Sequence, residues 1–450
     1  MSSIDRYSLY RAQFLELRAA QPNDEPGWLA FVRKNALERF LDKGFPTTRE
    51  EEWRFTNVAP LAAAAFALSV LPHADAERDA KALKKRFEIG ELEGHELVFV
   101  NGRVSKALSS LEELADGVVV TSLADALAST ALAEKLQPIL TQATLTQSGT
   151  TQSDEDDTPF FDLNEAFLSD GAFIHVPRGV ALERPVHLVF LTSSVEPVVT
   201  HPRNVIVGEA GSQLRVIESY GGLDGALYWT NAVTQVLAHE GAVIDHYKLQ
   251  RESASAFHMA SLGYVQERSS TVSNHSLSLG GRLARHDIRA ELDGEGADVT
   301  LNGLYVVKDS QHVDHHTVID HRVPHCTSRE LYKGVLDDAS SGVFNGRVIV
   351  RADAQKTNSQ QSNKNLLLSN DAFVNTNPQL EINADDVKCA HGATIGQLDP
   401  EAMFYLRSRG IAHDDARRIL TEGFMADVND RIRLAAVRDT LRRLLFNRAA

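Results

Sequence analysis

From Phe160 to about Leu398 the chain repeats one layout: an alternating run of apolar and polar residues, a turn of Gly with acidic or polar neighbours, and a second alternating run. The segments VIVGEAGSQLRVIESY, QVLAHEGAVIDHYKLQ and IRAELDGEGADVTLNGLYV share it, with turn centres near Gly211, Gly241, Ser269 and Gly296. Period-two alternation puts one face of a strand in a core and the other in water. Phe344, Val348 and Val350 alternate in this way with Asn345, Arg347 and Arg351, and Leu380 and Ile382 with Gln379, Glu381 and Asn383. Recurrence at roughly thirty residues points to stacked coils, each covering the apolar face its neighbour cannot bury alone. A mainly β protein with a β-helix core over 160–398 is expected. Residues 358–377 hold six asparagines, at 358, 363, 365, 370, 375 and 377. They read either as side chains stacked at coil corners or as a polar surface loop, and Leu366-Leu367-Leu368 in their midst favours the ordered solenoid.

Both flanks change to helical period. Over 1–90, Leu29, Phe31, Val32, Ala36, Phe40 and Leu41 recur at helical spacing until Gly44. Thr47 with Glu50 three residues later predicts a capping box opening a helix towards Trp53, and Lys81–Phe87 continues the helical style. Residues 91–159 form a small mixed region: Leu97–Val100 runs into Asn101-Gly102, a hairpin signal, 123–146 looks helical, and 148–159 is an acidic loop or linker. At 399–450 Asp399 suits an N-cap, Pro400 the first helical position and Gly410 a C′ residue. A second helix is expected from about Asp414 to Ile432 and a third beyond it. This short tail cannot bury a large core alone, so it should pack on the solenoid end or on a partner.

Charge and composition narrow the function classes. A formal net charge of −15 argues against a nucleic-acid binder, which carries a basic face. The first twenty residues include Asp5, Arg6, Arg11, Glu16 and Arg18 and show no apolar signal region, and Leu61–Pro72 is too short to span a bilayer. A cytoplasmic protein is expected, with its two cysteines, Cys326 and Cys389, reduced. Neither a phosphate-loop motif nor a strand-linked G-x-G-x-x-G is present, so ATP hydrolysis on this chain is not expected. No CxxC pair offers a self-contained cluster site.

Two constellations carry candidate chemistry. In Val387-Lys388-Cys389-Ala390-His391-Gly392, a strand would place Cys389 and His391 on one face, ~7 Å apart along the chain. A thiolate and an imidazole so placed can hold iron or zinc, with further ligands supplied from elsewhere, and the imidazole can also lower the thiol's pKa. The bland alternative is a buried Cys beside a structural His. The second constellation is His312, Asp314, His315 and His316, with His321, His325 and Cys326 beyond. His312, Asp314 and His316 share a strand face and suggest a two-His-one-carboxylate site, or simply a polar ladder on successive coils. A Cys326–His325 nucleophile pair lacks an orienting group.

Several runs here resemble the core of the SufB/SufD family. They are Leu331-Tyr332-Lys333-Gly334-Val335, Gly342–Arg347, Asp353–Thr357 with Gln360 or Gln361, Asn363 and Asn365–Leu368, and Pro378–Ile382 leading to Val387–Thr394. The Cys-x-His-Gly-Ala-Thr form is similar to the SufD branch, as is Gly44-Phe45-Pro46 to Glu52-Trp53-Arg54. The resemblance implies a right-handed parallel β-helix between helical ends. It also implies a non-enzymatic scaffold that pairs with SufB and the SufC ATPase, or forms a homodimer, and supports a transient iron–sulfur cluster. It places the residue matching His391 at a subunit interface, with Cys389 beside it, and gives the region from Asp399 the role of docking SufC. Nothing in the sequence decides for or against flavin, which is proposed for some related complexes. The competing reading is a β-helix enzyme acting on carbohydrate with a metal at His312 and Asp314. Such enzymes are commonly exported, and of three tryptophans only Trp229 falls within the solenoid to serve as a sugar platform.

Overall fold

A computed structural model describes residues 3–20, 25–69, 74–111, 113–141 and 159–446. Its centre is a β-solenoid of about 8 turns. Strands taken alternately along the chain build one 11-stranded and one 10-stranded sheet, with parallel pairing between successive coils. Residues roughly thirty apart are therefore Cα partners, as in Asn302↔Leu331 and Leu331↔Ser362.

The turns expected at Gly211, Gly241, Ser269 and Gly296 form one corner of the solenoid. All four have positive φ, and His325 (φ 61) and Lys356 (φ 62) extend the row. Corner N–H groups donate to the next coil: Gly211 to Glu240 O (2.8 Å), Gly241 to Arg268 O (2.8 Å) and His325 to Gln355 O (2.9 Å). The left-handed backbone turns the chain there, which Gly tolerates best and polar residues next best. His325 is thus a corner residue.

The asparagine-rich stretch is ordered but not cornered. Asn358–Leu367 and Phe373–Ile382 are strands. Asn363 and Asn365 point into the solenoid, where Asn365 Nδ2 donates to Asn363 Oδ1 (2.6 Å) and Tyr305 donates to Asn365 Oδ1. Asn370, in the turn between the two strands, is the residue that comes nearest to the expected corner position.

Helices α1 (Ser3–Ala20), α2 (Gly27–Lys43), α3 (Ala59–Ala63) and α4 (Ala74–Lys84) precede the solenoid; α5 (Leu123–Ala128), α6 (Thr130–Thr141) and α7 (Pro159–Ala166) lie at its start. Gly44 (φ 72) ends α2 by donating to Phe40 O. The hairpin at Asn101-Gly102 forms, pairing Phe99 with Val104. Its strand His95–Val100 pairs with Val186–Leu191, and Val119–Ser122 pairs with Ala172–His175, so residues 91–122 extend both sheets. Most of the acidic stretch 148–159 lies outside the described residues. The capping interaction at Thr47 forms, Thr47 N donating to Glu50 Oε1 (2.8 Å), but only a three-residue 3₁₀ turn, Glu51–Trp53, follows it. Trp53 is drawn instead into an aromatic cluster with Phe160 (5.3 Å between centroids).

That cluster fastens the N-terminal helices to the outer face of the larger sheet. Trp229 lies at its centre, 5.9 Å from Phe66, 5.9 Å from Phe160 and 6.3 Å from Phe45. The opposite outer face is covered by α9 (His413–Asn429) and α10 (Ala435–Phe446). Their Met425, Val428, Val437 and Leu441, with Ile432 from the link between them, bury Tyr247, Leu249, Leu277, Leu304 and Leu331. The tail therefore packs along the side of the solenoid rather than across its end, on the outward apolar row of the smaller sheet. Between solenoid and tail, α8 (Pro400–Ser408) is capped by Asp399, whose Oδ1 accepts from Glu401 N (2.9 Å), yet buries no residue.

Truncating the central indole should be costly. Trp229→Ala is expected to lower stability by about 3–5 kcal/mol, read by chemical denaturation with the solenoid's far-ultraviolet signal retained. A loss under about 1 kcal/mol would mean that the cluster is not what fastens the N-terminal helices.

Candidate functional site

The strand His312–His321 lies in the larger sheet, and His312, Asp314 and His316 share its outer face as their spacing predicts. There they meet the N-terminal region. His312 Nε2 lies 2.9 Å from Thr56 Oγ1 and its Nδ1 2.7 Å from Ser341 Oγ. Asp314 accepts from Thr56 Oγ1 (2.6 Å) and Arg285 Nη1 (2.8 Å), and pairs with His316 Nε2 (3.0 Å). His316 Nδ1 reaches Glu52 Oε2 (2.9 Å), and the Arg285 guanidinium lies 3.7 Å above the Trp53 ring. Although burial and Arg285 oppose its charge, the two carboxylates raise His316 to about 9. Burial works against Asp314 as well, but His316 and Arg285 hold it well below the usual carboxylate range.

The row is thus a buried ionic latch between the segment Glu52–Thr56 and the solenoid. Among the described residues no group of three His, Cys, Asp or Glu is arranged to hold a metal. With its metal group engaged under the N-terminal segment, the carbohydrate-enzyme reading loses its site. His315 points the other way, into the lumen, stacked on His286 at 4.8 Å. Cys326 is buried with Sγ on Gly294 O (3.4 Å), while Ser328 is bonded to His321 (2.9 Å), so Cys326, His325 and Ser328 form no nucleophilic set. Arg285 and Glu52 were not legible as latch residues, since their positions differ by more than two hundred residues.

The Cys389–His391 pair occupies a different setting. Lys388–Gly396 is the last strand of the smaller sheet, paired on one side only, with Asn358–Leu366. Cys389 is the Cα partner of Ser359, and His391 of Gln361. Ser359 and Gln361 are buried in the lumen, so both candidates lie on the lumen-facing side of their strand. Cys389 is half-buried and His391 exposed, because no further coil covers them. Burial pushes the Cys389 thiol up.

Beneath the pair two columns of the smaller sheet are polar, although Cys389 also packs against the apolar core that fills the rest of the lumen. Ser328 Oγ donates to Ser359 Oγ (2.8 Å) in the column that ends at Cys389. The next column runs Glu330, Gln361, His391, and Gln361 Nε2 donates to Glu330 Oε2 (2.7 Å). Burial raises Glu330 to about 7, against the lowering effect of hydrogen bonds from Gln361 and Thr317. Glu330 escapes a motif-based reading and Gln361 enters one only as an alternative to Gln360, but one signal for their alignment was available: they precede His391 at the coil period.

Strand topology and the terminal coil define the class. Residues 190–424 match the family model for the SUF system FeS cluster assembly SufBD core domain, and residues 5–188 match the SufBD protein N-terminal region. The chain belongs to the SufBD family of iron–sulfur cluster assembly proteins. It is similar to an iron–sulfur cluster assembly SufBD family protein of Synechocystis, 32% identical over 96% of this chain and 93% of the relative. It is likewise similar to the iron–sulfur cluster assembly protein SufD of Escherichia coli, 32% identical over 88% of each chain. The SufD of Bacillus subtilis is 28% identical over 94% of each. Among the described residues no helix is long and apolar enough to cross a membrane.

The latch gives stability a definite pH dependence. Because folded His316 titrates at about 9 and an unfolded histidine near ~6.5, its contribution is complete below the lower value and is lost as pH rises through the higher one. Between these limits wild type should lose stability relative to His316→Gln. Denaturation midpoints of the two proteins that stay parallel across this range would show that His316 is not charged in the folded state.

Proposed function

We propose that the chain is a non-enzymatic scaffold subunit for iron–sulfur cluster assembly, carrying the nascent cluster as cargo at an interface built on the open end of its solenoid. The observation that carries this reading is the terminal strand: Cys389 and His391 face the lumen side with no coil above them. A thiol and an imidazole suit iron, and two ligands leave coordination positions for another subunit.

The open end also calls for a partner on physical grounds. Its last strands leave backbone N–H and C=O groups unpaired on their outer side, which favours addition of another sheet. Phe373 (56% exposed) and Ile395 (50%) lie on those strands. A SufB subunit, or a second copy of this chain, would extend the sheets and complete the ligand set. The SufC ATPase would dock on α8, where Phe404 (74% exposed) and Tyr405 (58%) stand out from a helix that buries nothing. ATP hydrolysis would then belong to that partner, and the assembly would work in the cytoplasm.

The test is anaerobic co-expression with SufB and SufC, comparing bound iron and sulfide. His391→Ala should leave the complex intact and reduce iron and sulfide several-fold; unchanged iron would remove His391 from cluster assembly. Independently, Phe404→Asp should release SufC from the purified complex with no change in thermal unfolding of the isolated chain. Co-purification of SufC at wild-type stoichiometry would overturn the assignment of α8.

A further inference from the structure

Gln361 combines three features that a space-filling lumen residue does not need. First, its amide is held from one side. Nε2 donates to Glu330 Oε2 at 2.7 Å, on the coil below. Glu330 and Gln361 are 4% and 3% exposed, so water does not compete for this bond. Second, room for the amide is kept on the opposite sheet. A Cβ placed on Gly346 would stand 2.4 Å from Gln361 Nε2, so this position is open only because residue 346 has no side chain. Third, Gln361 Oε1 is buried and has no hydrogen-bond partner. Nitrogen and oxygen diverge at the end of a planar amide. With Nε2 committed to the coil below, Oε1 is left as a buried acceptor that no group of this chain fills in this structure. The residue that the parallel register brings next in this column is His391. Successive strands lie ~4.8 Å apart, within reach of a side-chain hydrogen bond between column neighbours.

We infer that Gln361 is a positioning residue for His391: its Oε1 accepts the imidazole N–H and so fixes which ring nitrogen is left bare to take iron. A neutral imidazole carries one proton on two nitrogens, and a hydrogen bond to one of them decides which is the free donor. Outer partners of this kind orient ligand histidines, and their loss costs about 10–100-fold in metal affinity. Glu330 acts one step further back. Bonded to Gln361 Nε2, it supplies the acceptor that orients the amide. The inference rests on the reading of His391 as an iron ligand, but its geometry can be tested apart from that reading.

The primary measurement is ¹⁵N nuclear magnetic resonance of the full-length, histidine-labelled chain, with His391→Ala identifying the His391 ring signals. Wild type should show one predominant tautomer. Gln361→Met, of similar volume and without the acceptor, should give the mixed tautomers of a free imidazole while the solenoid's thermal transition is retained. In the complex with SufB and SufC, the same variant should weaken iron binding by about 10-fold or more. The paired exchange of Glu330→Gln with Gln361→Glu restores the donor–acceptor pair in reverse and leaves a carboxylate oxygen for the ring, so it should recover the single tautomer. If Gln361→Met does not fold, Gln361→Asn, which withdraws the acceptor but keeps the amide, is read in the same way.

Wild-type tautomer populations in Gln361→Met, or in Gln361→Asn where that variant replaces it, would overturn the inference, whatever His391→Ala does to iron. An altered tautomer together with undiminished iron in His391→Ala would uphold the positioning and refute the ligand reading. Loss of iron in His391→Ala with neither tautomer nor iron changed in Gln361→Met would do the reverse.

Discussion

Parallel, in-register hydrogen bonding between successive coils is the constraint on which the rest of this molecule depends. Because each strand pairs with strands one coil earlier and one coil later, every side chain sits in a column of residues roughly thirty positions apart. A column must be chemically consistent, since its members touch. Ser328, Ser359 and Cys389 make one such column and Glu330, Gln361 and His391 the next. On the outer face of the larger sheet the same rule produces an ion-pair ladder, in which Arg322 and Arg351 both reach Asp320 at 2.9–3.0 Å. Sites in a solenoid are therefore written down columns, and only in part along the strand.

The two ends and the two outer faces of the solenoid are handled differently. The early end is finished by antiparallel strands, Arg103–Val104 and Val119–Ser122, which cannot propagate a parallel coil. One outer face carries the aromatic cluster and the ionic latch beneath the N-terminal helices, and the other carries α9 and α10. What is left uncovered is the last coil and α8. Two polar lumen columns end at that coil, so the least satisfied backbone and the candidate ligands coincide.

Local sequence was a good guide wherever local interactions decide the outcome. The corner turns depend on a single left-handed residue, and Gly211, Gly241 and Gly296 announce it. Asp399 caps α8 through an atom two residues away. Reading failed where a distant contact outweighed a local preference. The capping interaction at Thr47 forms but leads into a 3₁₀ turn, and Trp53 beyond it packs on Phe160 and Arg285. Phe31, counted on the buried stripe of α2, is 66% exposed. The His312 row has the composition of a metal site, yet the ligand types are spent on Glu52, Thr56 and Arg285.

By itself the sequence determined the alternation of strands, the coil period, the helical flanks, the family, and the common face of Cys389 and His391. All of these follow from periodicity or from residues within a few positions of one another. The tertiary structure alone decided that the His312 row is a latch, that the C-terminal helices lie along the solenoid's side, and that Gln361 stands between Glu330 and His391. Those facts depend on which coil lies above which and on which surface the flanking helices cover. Such neighbours are created by register and docking across tens to hundreds of residues, and no local pattern encodes them.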